Sequence, residues 1–238
     1  DFVAKNVMDA ERSFSQMDLI SCHPLTMGKL LLNNFTDRTA IMVRNDRNIS
    51  SPEATMKLPL FPLPICLLPE GYTQLRVFEP RYKRLIAESL KSGQGFGLCM
   101  LEEDGKTIQP IGTLVHIIDF ETLPDGLLGI SIQGSKRFKL DKISVEADGL
   151  KRGDVSLIDN WPAVRIATDE RYLSQMLQNI LKEYPQHLKH YQTEQFDDIA
   201  WVCQRWLEIL PVQASEKYTC INALDHIMTR DLLRAVIK

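Results

Sequence analysis

Few side chains in this sequence are placed to do chemistry, and each can be weighed against its neighbours. His187 and His190 stand three residues apart, a spacing that puts two imidazoles on one helix face and could present both to one metal ion. They lie among Pro185, Gln186 and Lys189, the composition of an exposed connection, so they are expected to be solvated. Glu102-Glu103-Asp104 supplies adjacent carboxylates, the raw material of acid–base catalysis, but Gly105 follows at once and the run reads as a solvated hairpin tip. Gly93-Gln94-Gly95-Phe96-Gly97 has the glycine density of a phosphate-cradling loop. A dinucleotide loop follows a strand and opens a helix, whereas this stretch follows a helical pattern and opens a strand-like one. In Gly129-Ile130-Ser131-Ile132-Gln133 the last glycine of a nucleophile elbow is displaced. No Gly-x-x-x-x-Gly-Lys-[Ser/Thr] phosphate loop is present. The expectation is a non-enzymatic chain with no cofactor and no metal; a hydrolase whose residues meet only in the fold is the weakest reading.

Charge and cysteines narrow the class further. Over residues 56–165 there are 14 Lys and Arg against 14 Asp and Glu, and the whole chain carries a net charge of only −3. Nucleic-acid binding leans on positive charge, so this balance argues against it. One local basic group, Lys136, Arg137, Lys139 and Lys142, is expected to be a solvated strand face. Cys22, Cys66, Cys99, Cys203 and Cys220 are odd in number and contain no Cys-x-x-Cys pair, and three of them fall in apolar patterns. They are expected to be buried free thiols in a reducing cytoplasm. No apolar run approaches the ~20 residues that span a bilayer, and no secretory pattern opens the chain, so no membrane association is expected.

The elements that would position these residues fall into three stretches. Residues 1–55 lack a clean period and end in the breaker Ser50-Ser51-Pro52; they are expected to be an extension of uncertain structure. Residues 56–165 read as β structure. Met56 to Leu63 alternates apolar residues with prolines, so it cannot be a helix interior and is expected to be an edge strand. Asp104-Gly105, Asp125-Gly126 and Asp148-Gly149 each sit between strand-like runs and predict tight type I′ hairpins. A slip in parity between Leu140 and Ile143 predicts a bulge near Asp141-Lys142. Successive hairpins with apolar residues on both faces predict a closed or nearly closed barrel. One helix interrupts it: Pro80 can begin a helix, Tyr82, Leu85, Ile86 and Leu90 recur at helical spacing, and Gly93 ends the run. Residues 166–238 read as helical. Leu173, Met176, Leu177, Ile180, Leu181 and Tyr184 make one stripe, opened by Thr168 as N-cap. Phe196, Ile199, Cys203, Trp206 and Leu210 make a second, Ser215 to Ala223 a short third element, and Leu224, Ile227, Met228, Leu232 and Val236 the last stripe. Each helix is expected to bury one face.

The stretch from Met56 through Phe78-Glu79-Pro80-Arg81-Tyr82 resembles the opening of the Lon protease N-terminal domain. Gly95-Phe96-Gly97, Ile111-Gly112-Thr113-Leu114, Gly134-Ser135-Lys136-Arg137-Phe138 and Arg205-Trp206-Leu207-Glu208-Ile209-Leu210-Pro211 with Lys217 are similar to that family's later markers, in order. Pro69-Glu70-Gly71 departs from the pattern, since relatives often carry two glycines there. The resemblance implies an α+β fold: a small barrel of the pseudouridine-synthase-and-archaeosine (PUA-like) type over 56–165, then a helical bundle over 166–238. It implies a stand-alone form of the substrate-recruiting module, without the ATPase and protease that full Lon proteases add.

The function expected on that basis is capture of unfolded or apolar protein segments in a groove between barrel and helices, independent of ATP, with a protease or chaperone as partner. Phe61, Leu75, Phe78, Tyr82 and Phe138 are the candidate peptide-binding residues, as far as they escape the core. Glu79, Pro80 and Arg81 are expected to hold the strand-to-helix corner, and Trp206 to be buried between helix and barrel. RNA binding, which a PUA-like barrel would also suit, is the alternative.

Overall fold

A computed structural model describes residues 55–237. Along them run β1 (Thr55–Leu63), β2 (Tyr72–Val77), α1 (Pro80–Ser92), β3 (Phe96–Leu101), β4 (Ile108–Thr122), β5 (Leu128–Val145), β6 (Lys151–Ile158), α2 (Arg171–Lys182), α3 (Pro185–Leu188), α4 (Ile199–Ile209), α5 (Ala214–Ile221) and α6 (Ile227–Val236). The class is α+β. The expected extension over residues 1–55 lies outside the described residues, except for Thr55, which opens β1.

β1 is not the edge strand its prolines predict. It pairs antiparallel with β6 from Thr55 to Leu60 and parallel with β3 from Leu60 to Leu63. Only Leu60 belongs to both registers, so each half of the strand has one free side. Pro59 faces Arg152 and Pro62 faces Cys99, each in a half with a single partner, where a missing amide hydrogen breaks no second ladder. β5 is long enough to pair twice. Its first part lies between β2 and β4, and its last part pairs with β6. The hydrogen-bonded path β1–β3–β4–β5–β6 therefore returns to β1. The register shifts between Leu140 and Lys142, where the parity slip places a bulge.

The hairpin turns differ from the expected type. Gly105, Gly126 and Gly149 have φ of 66°, 79° and 83°, but no Asp before them has positive φ. Type I′ needs positive φ at both central residues, so these are turns closed by a left-handed glycine alone. Glu70 is the one non-glycine residue with positive φ among those described, at 64°. This is the position where the sequence departs from a double glycine. Its amide donates to the Gly134 carbonyl (2.8 Å), which fixes the conformation.

Among the helices, α1 begins at Pro80 and ends on Gly93, as its pattern predicts. Leu90 is exposed, however, and Ser89 is buried in its place. Thr168 is not an α-helix cap; it opens a 3-10 turn, and α2 starts at Arg171. The last stripe is misplaced as well: Leu224, Ile227 and Met228 are exposed, and α6 turns Thr229 and Leu233 inward. The largest difference is α4. It is buried on every side, including Gln204, Arg205 and Glu208, rather than along one stripe.

Those buried polar groups hold the two halves together. Glu208 Oε1 accepts from the Leu68 amide (2.7 Å) and from Arg205 Nη2 (2.8 Å), and its Oε2 lies 2.8 Å from Arg205 Nε. Arg205 Nη2 also donates to the Pro69 carbonyl (2.8 Å). A Cβ at Gly71 would lie 2.2 Å from Glu208 Oε1, so the corner between β1 and β2 must be glycine there. Burial pushes the Glu208 carboxyl up against the opposing pull of Arg205, and it draws the Lys217 ammonium down. Arg137 makes a second clamp. It is buried, not on a solvated face, and donates to the carbonyls of Ile221 and Ala223 (3.3 Å) at the end of α5 and of Asp159 (2.6 Å) just past β6.

Removing one member of a buried ion pair costs about 3–5 kcal/mol because the other charge is stranded. Arg205→Met is expected to cost that much in urea denaturation, and adding Glu208→Gln to recover part of it; strictly additive losses would show that the pair does not act as a unit. Glu70→Gly is expected to stabilise by about 0.5–1 kcal/mol, the left-handed penalty less the entropy of a more flexible unfolded chain. Glu70→Ala, which keeps the penalty, is expected to give no gain in the same measurement.

Candidate functional site

Four of the five sequence-predicted binding residues converge on one place. Phe61 and Leu63 of β1, Leu75 and Arg76 of β2, and Phe78, Glu79 and Tyr82 at the start of α1 line a shallow cleft of about 290 Å³ including its open mouth. The fifth, Phe138, is fully buried in a separate cluster with Leu58, Leu60 and Val155. Its ring fills the space beside Gly112, where a Cβ would lie 2.4 Å away, so Phe138 is a core residue and not a site residue.

The floor and rim of the cleft differ in exposure. Phe61 and Leu75 are buried and form the floor; the Phe61 ring stacks on Tyr82 with centroids 4.0 Å apart. Tyr82 is half-buried, and Phe78 stands at the rim, 37% exposed. The chain builds this corner because Pro80 starts α1 without losing an amide partner, while the Glu79 carbonyl accepts from the Tyr82 and Lys83 amides. Glu79 pairs with Arg81 at 2.6 Å, and Arg81 reaches the Gly149 carbonyl (3.3 Å) and lies 4.8 Å from the centre of the Tyr82 ring. Arg76 pairs with Asp125. Both charges at the mouth are thus neutralised by neighbours, which leaves an apolar surface to offer. Sequence reasoning missed Leu63 and Arg76. Leu63 shares the parity of Phe61 along β1, and that period-two signal could have found it.

The expected groove between the β part and the C-terminal helices is instead a packed core. Trp206 is buried there, and its Nε1 donates to the Leu173 carbonyl of α2 (3.0 Å), so it faces a helix. Cys66, Leu68, Met100 and Ile111 bring the strands into the same cluster. The histidines differ from the solvated pair expected: His187 is buried and His190 is half-buried. His187 is buried edge-on to Tyr72 and His190 stacks on the same ring at 3.7 Å, joining α3 to β2. Among the described residues no group of three His, Cys, Asp or Glu is placed to hold a metal ion. Burial pushes the Cys66 and Cys99 thiols up to about 12, so both remain protonated and inert near neutrality.

A family model described as the ATP-dependent protease La (LON) substrate-binding domain matches residues 57–225. The chain belongs to that family. A Lon N-terminal domain protein from Xanthomonas campestris shares the fold at a TM-score of 0.62 and 29% identity, over 76% of this chain and 98% of that one. The N-terminal domain of the Mycobacterium avium complex Lon protease matches at a TM-score of 0.54 and 11% identity, over 76% of this chain and 97% of that one. The matched domain is the substrate-binding part of Lon and not its catalytic part. Among the described residues no helix is long and apolar enough to cross a membrane.

Floor and rim are separable by mutation. Truncating a buried aromatic costs about 3–5 kcal/mol, so Phe61→Ala is expected to lose that much stability. Phe78→Ala, at the rim, is expected to lose less than about 1 kcal/mol. Thermal and urea unfolding of the two variants check this; an equal loss would make Phe78 a core residue and remove it from the site.

Proposed function

We propose that this chain captures unfolded or apolar segments of other proteins in the cleft lined by Phe61, Leu75, Phe78 and Tyr82. The capture uses no ATP and no covalent step, and it serves recruitment to a protease or chaperone in the cytoplasm. In this reading the circuit of strands is a PUA-like barrel with α1 inserted, and the C-terminal helices are the bundle that braces it. The observation that carries the reading is the exposed Phe78 beside a floor of buried apolar side chains, with the flanking charges already paired. Desolvating such a surface favours apolar ligands over charged ones. The RNA alternative, which the PUA-like reading raises, loses support because Arg137, one of the four residues of the local basic group, is spent on holding the carbonyls at the end of α5.

A salt titration separates the two ligand classes. Binding to a denatured model protein is expected at micromolar or weaker dissociation constants, about −8 kcal/mol or less favourable. It should survive raised salt, whereas phosphate contacts weaken steeply. Phe78→Ala and Tyr82→Ala are each expected to weaken it by about tenfold, the loss of one interface anchor. Tight RNA binding that collapses at moderate salt, with no binding of the denatured protein, would replace this reading with the RNA one.

A further inference from the structure

β4 outruns its neighbour. β3 pairs with it only as far as Phe96 opposite Val115, yet β4 continues to Thr122, held by β5 alone. Among the described residues no strand pairs with the other side of residues 116–122. Half the backbone amides and carbonyls of such an edge point away from the sheet, ready to pair with another strand.

The two faces beside this edge have opposite chemistry. Phe120 lies opposite Ile130, which lies opposite Leu75, so the three share the face that looks into the core. Leu75 and Ile130 are buried, whereas Phe120 is 65% exposed: an apolar row loses its cover at its last strand. Ile118, at the register shift, is 44% exposed. On the other face Asp119 lies opposite Ser131 and Glu121 opposite Gly129. Both carboxylates are exposed, and neither forms an ion pair among the described residues. Asp119 Oδ1 accepts from the Phe120 amide (2.8 Å), a local stopper that an incoming strand would displace.

We propose that residues 116–122 of β4 receive an extended segment of another protein as an added strand, one in which apolar residues alternate with Lys or Arg. Backbone pairing along β4 supplies the affinity. The apolar residues cover Phe120, and the basic residues, one position along, meet Asp119 and Glu121. A second copy of this chain fits poorly, because antiparallel pairing of the edge with itself brings these carboxylates near one another, and like charges across a ladder are destabilising. The inference rests on the reading of the chain as a binder of protein segments, but it uses a different surface from the cleft.

The test is fluorescence anisotropy with the full chain and a labelled decapeptide of alternating Val and Lys. Binding is expected, and methylating alternate peptide amides, which removes backbone donors and keeps every side chain, is expected to weaken it by at least about tenfold. Asp119→Lys with Glu121→Lys is expected to reverse the preference toward an alternating Val and Glu peptide. Phe120→Ala is expected to weaken binding, and Phe78→Ala with Tyr82→Ala to leave it unchanged. Equal binding of the methylated peptide, an unreversed charge preference, or no binding at about 1 mM peptide would overturn the inference. Loss of binding in the cleft variant alone would overturn it too, while leaving the proposed function standing.

Discussion

The buried contact between Arg205 and Glu208 is the constraint on which the rest of the architecture depends. Both charges sit inside α4, and their hydrogen bonds go to the Leu68 amide and the Pro69 carbonyl at the corner between β1 and β2. A helix that buries an ion pair must bring it to backbone groups that add hydrogen bonds to the pair's own, because a bare charge in the interior is too costly. That requirement seats the helical part on the strands in one orientation. It also sets the corner's sequence: Gly71 must lack a side chain because Glu208 occupies the space. Arg137 repeats the logic from the other direction, reaching from β5 to the carbonyls past α5, with Trp161 Nε1 donating to the same Ala223 carbonyl (2.9 Å). A cation at that end also complements the helix dipole.

The cleft is a consequence of the same corner. β1 leads into the clamped loop, β2 leaves it, and α1 follows directly, so Phe61, Leu75 and Tyr82 come together within one continuous stretch of chain. α1 is then fixed from its outer side. Arg84 pairs with Asp148 at 2.8 Å and Arg152 with Glu88 at 2.6 Å, and Glu146 meets both arginines, tying the helix to the turn between β5 and β6. Each exposed pair contributes little alone; as a network they set the helix position more than the stability. Phe78 stays at the rim because it lies between β2 and α1, where neither element can cover it. Membership in a substrate-binding family and an apolar cleft with neutralised edges are the two observations on which the proposed capture of apolar segments rests.

How much of this was legible depends on the range of the interaction. Pro80 at the head of α1, Gly93 at its end and the bulge near Asp141 are local events, decided by φ, by a missing amide or by a parity slip, and each is where the pattern placed it. In the stripe Leu173, Met176, Leu177, Ile180, Leu181 and Tyr184, all are buried as the spacing requires except Met176 and Tyr184, which are partly so. Local pattern misleads where a distant partner overrides it. The prolines of β1 suggested an edge, but two neighbours share that strand end to end. The sequence neighbours of His187 and His190 point to solvated rings, but Tyr72 of β2 meets both, and His187 is buried. Arg137 looked like a surface charge, and the α5 end buries it.

The sequence by itself determined the class of the chain, the order of its main elements, the positions of the hairpin turns, the two ends of α1, and the set of aromatic residues from which a binding surface could be made. Those follow from backbone sterics and from hydrophobic periodicity, which act over a few residues. Only the tertiary structure decided which of those aromatics remain available. Phe61, Phe78 and Phe138 are alike in sequence terms, yet one is floor, one is rim and one is sealed in the core. The reason is that exposure is a property of what packs on top. The packing here is set by side chains far away in the chain: the Arg205–Glu208 pair meets Leu68 and Pro69 across well over a hundred residues, and no local pattern carries that information.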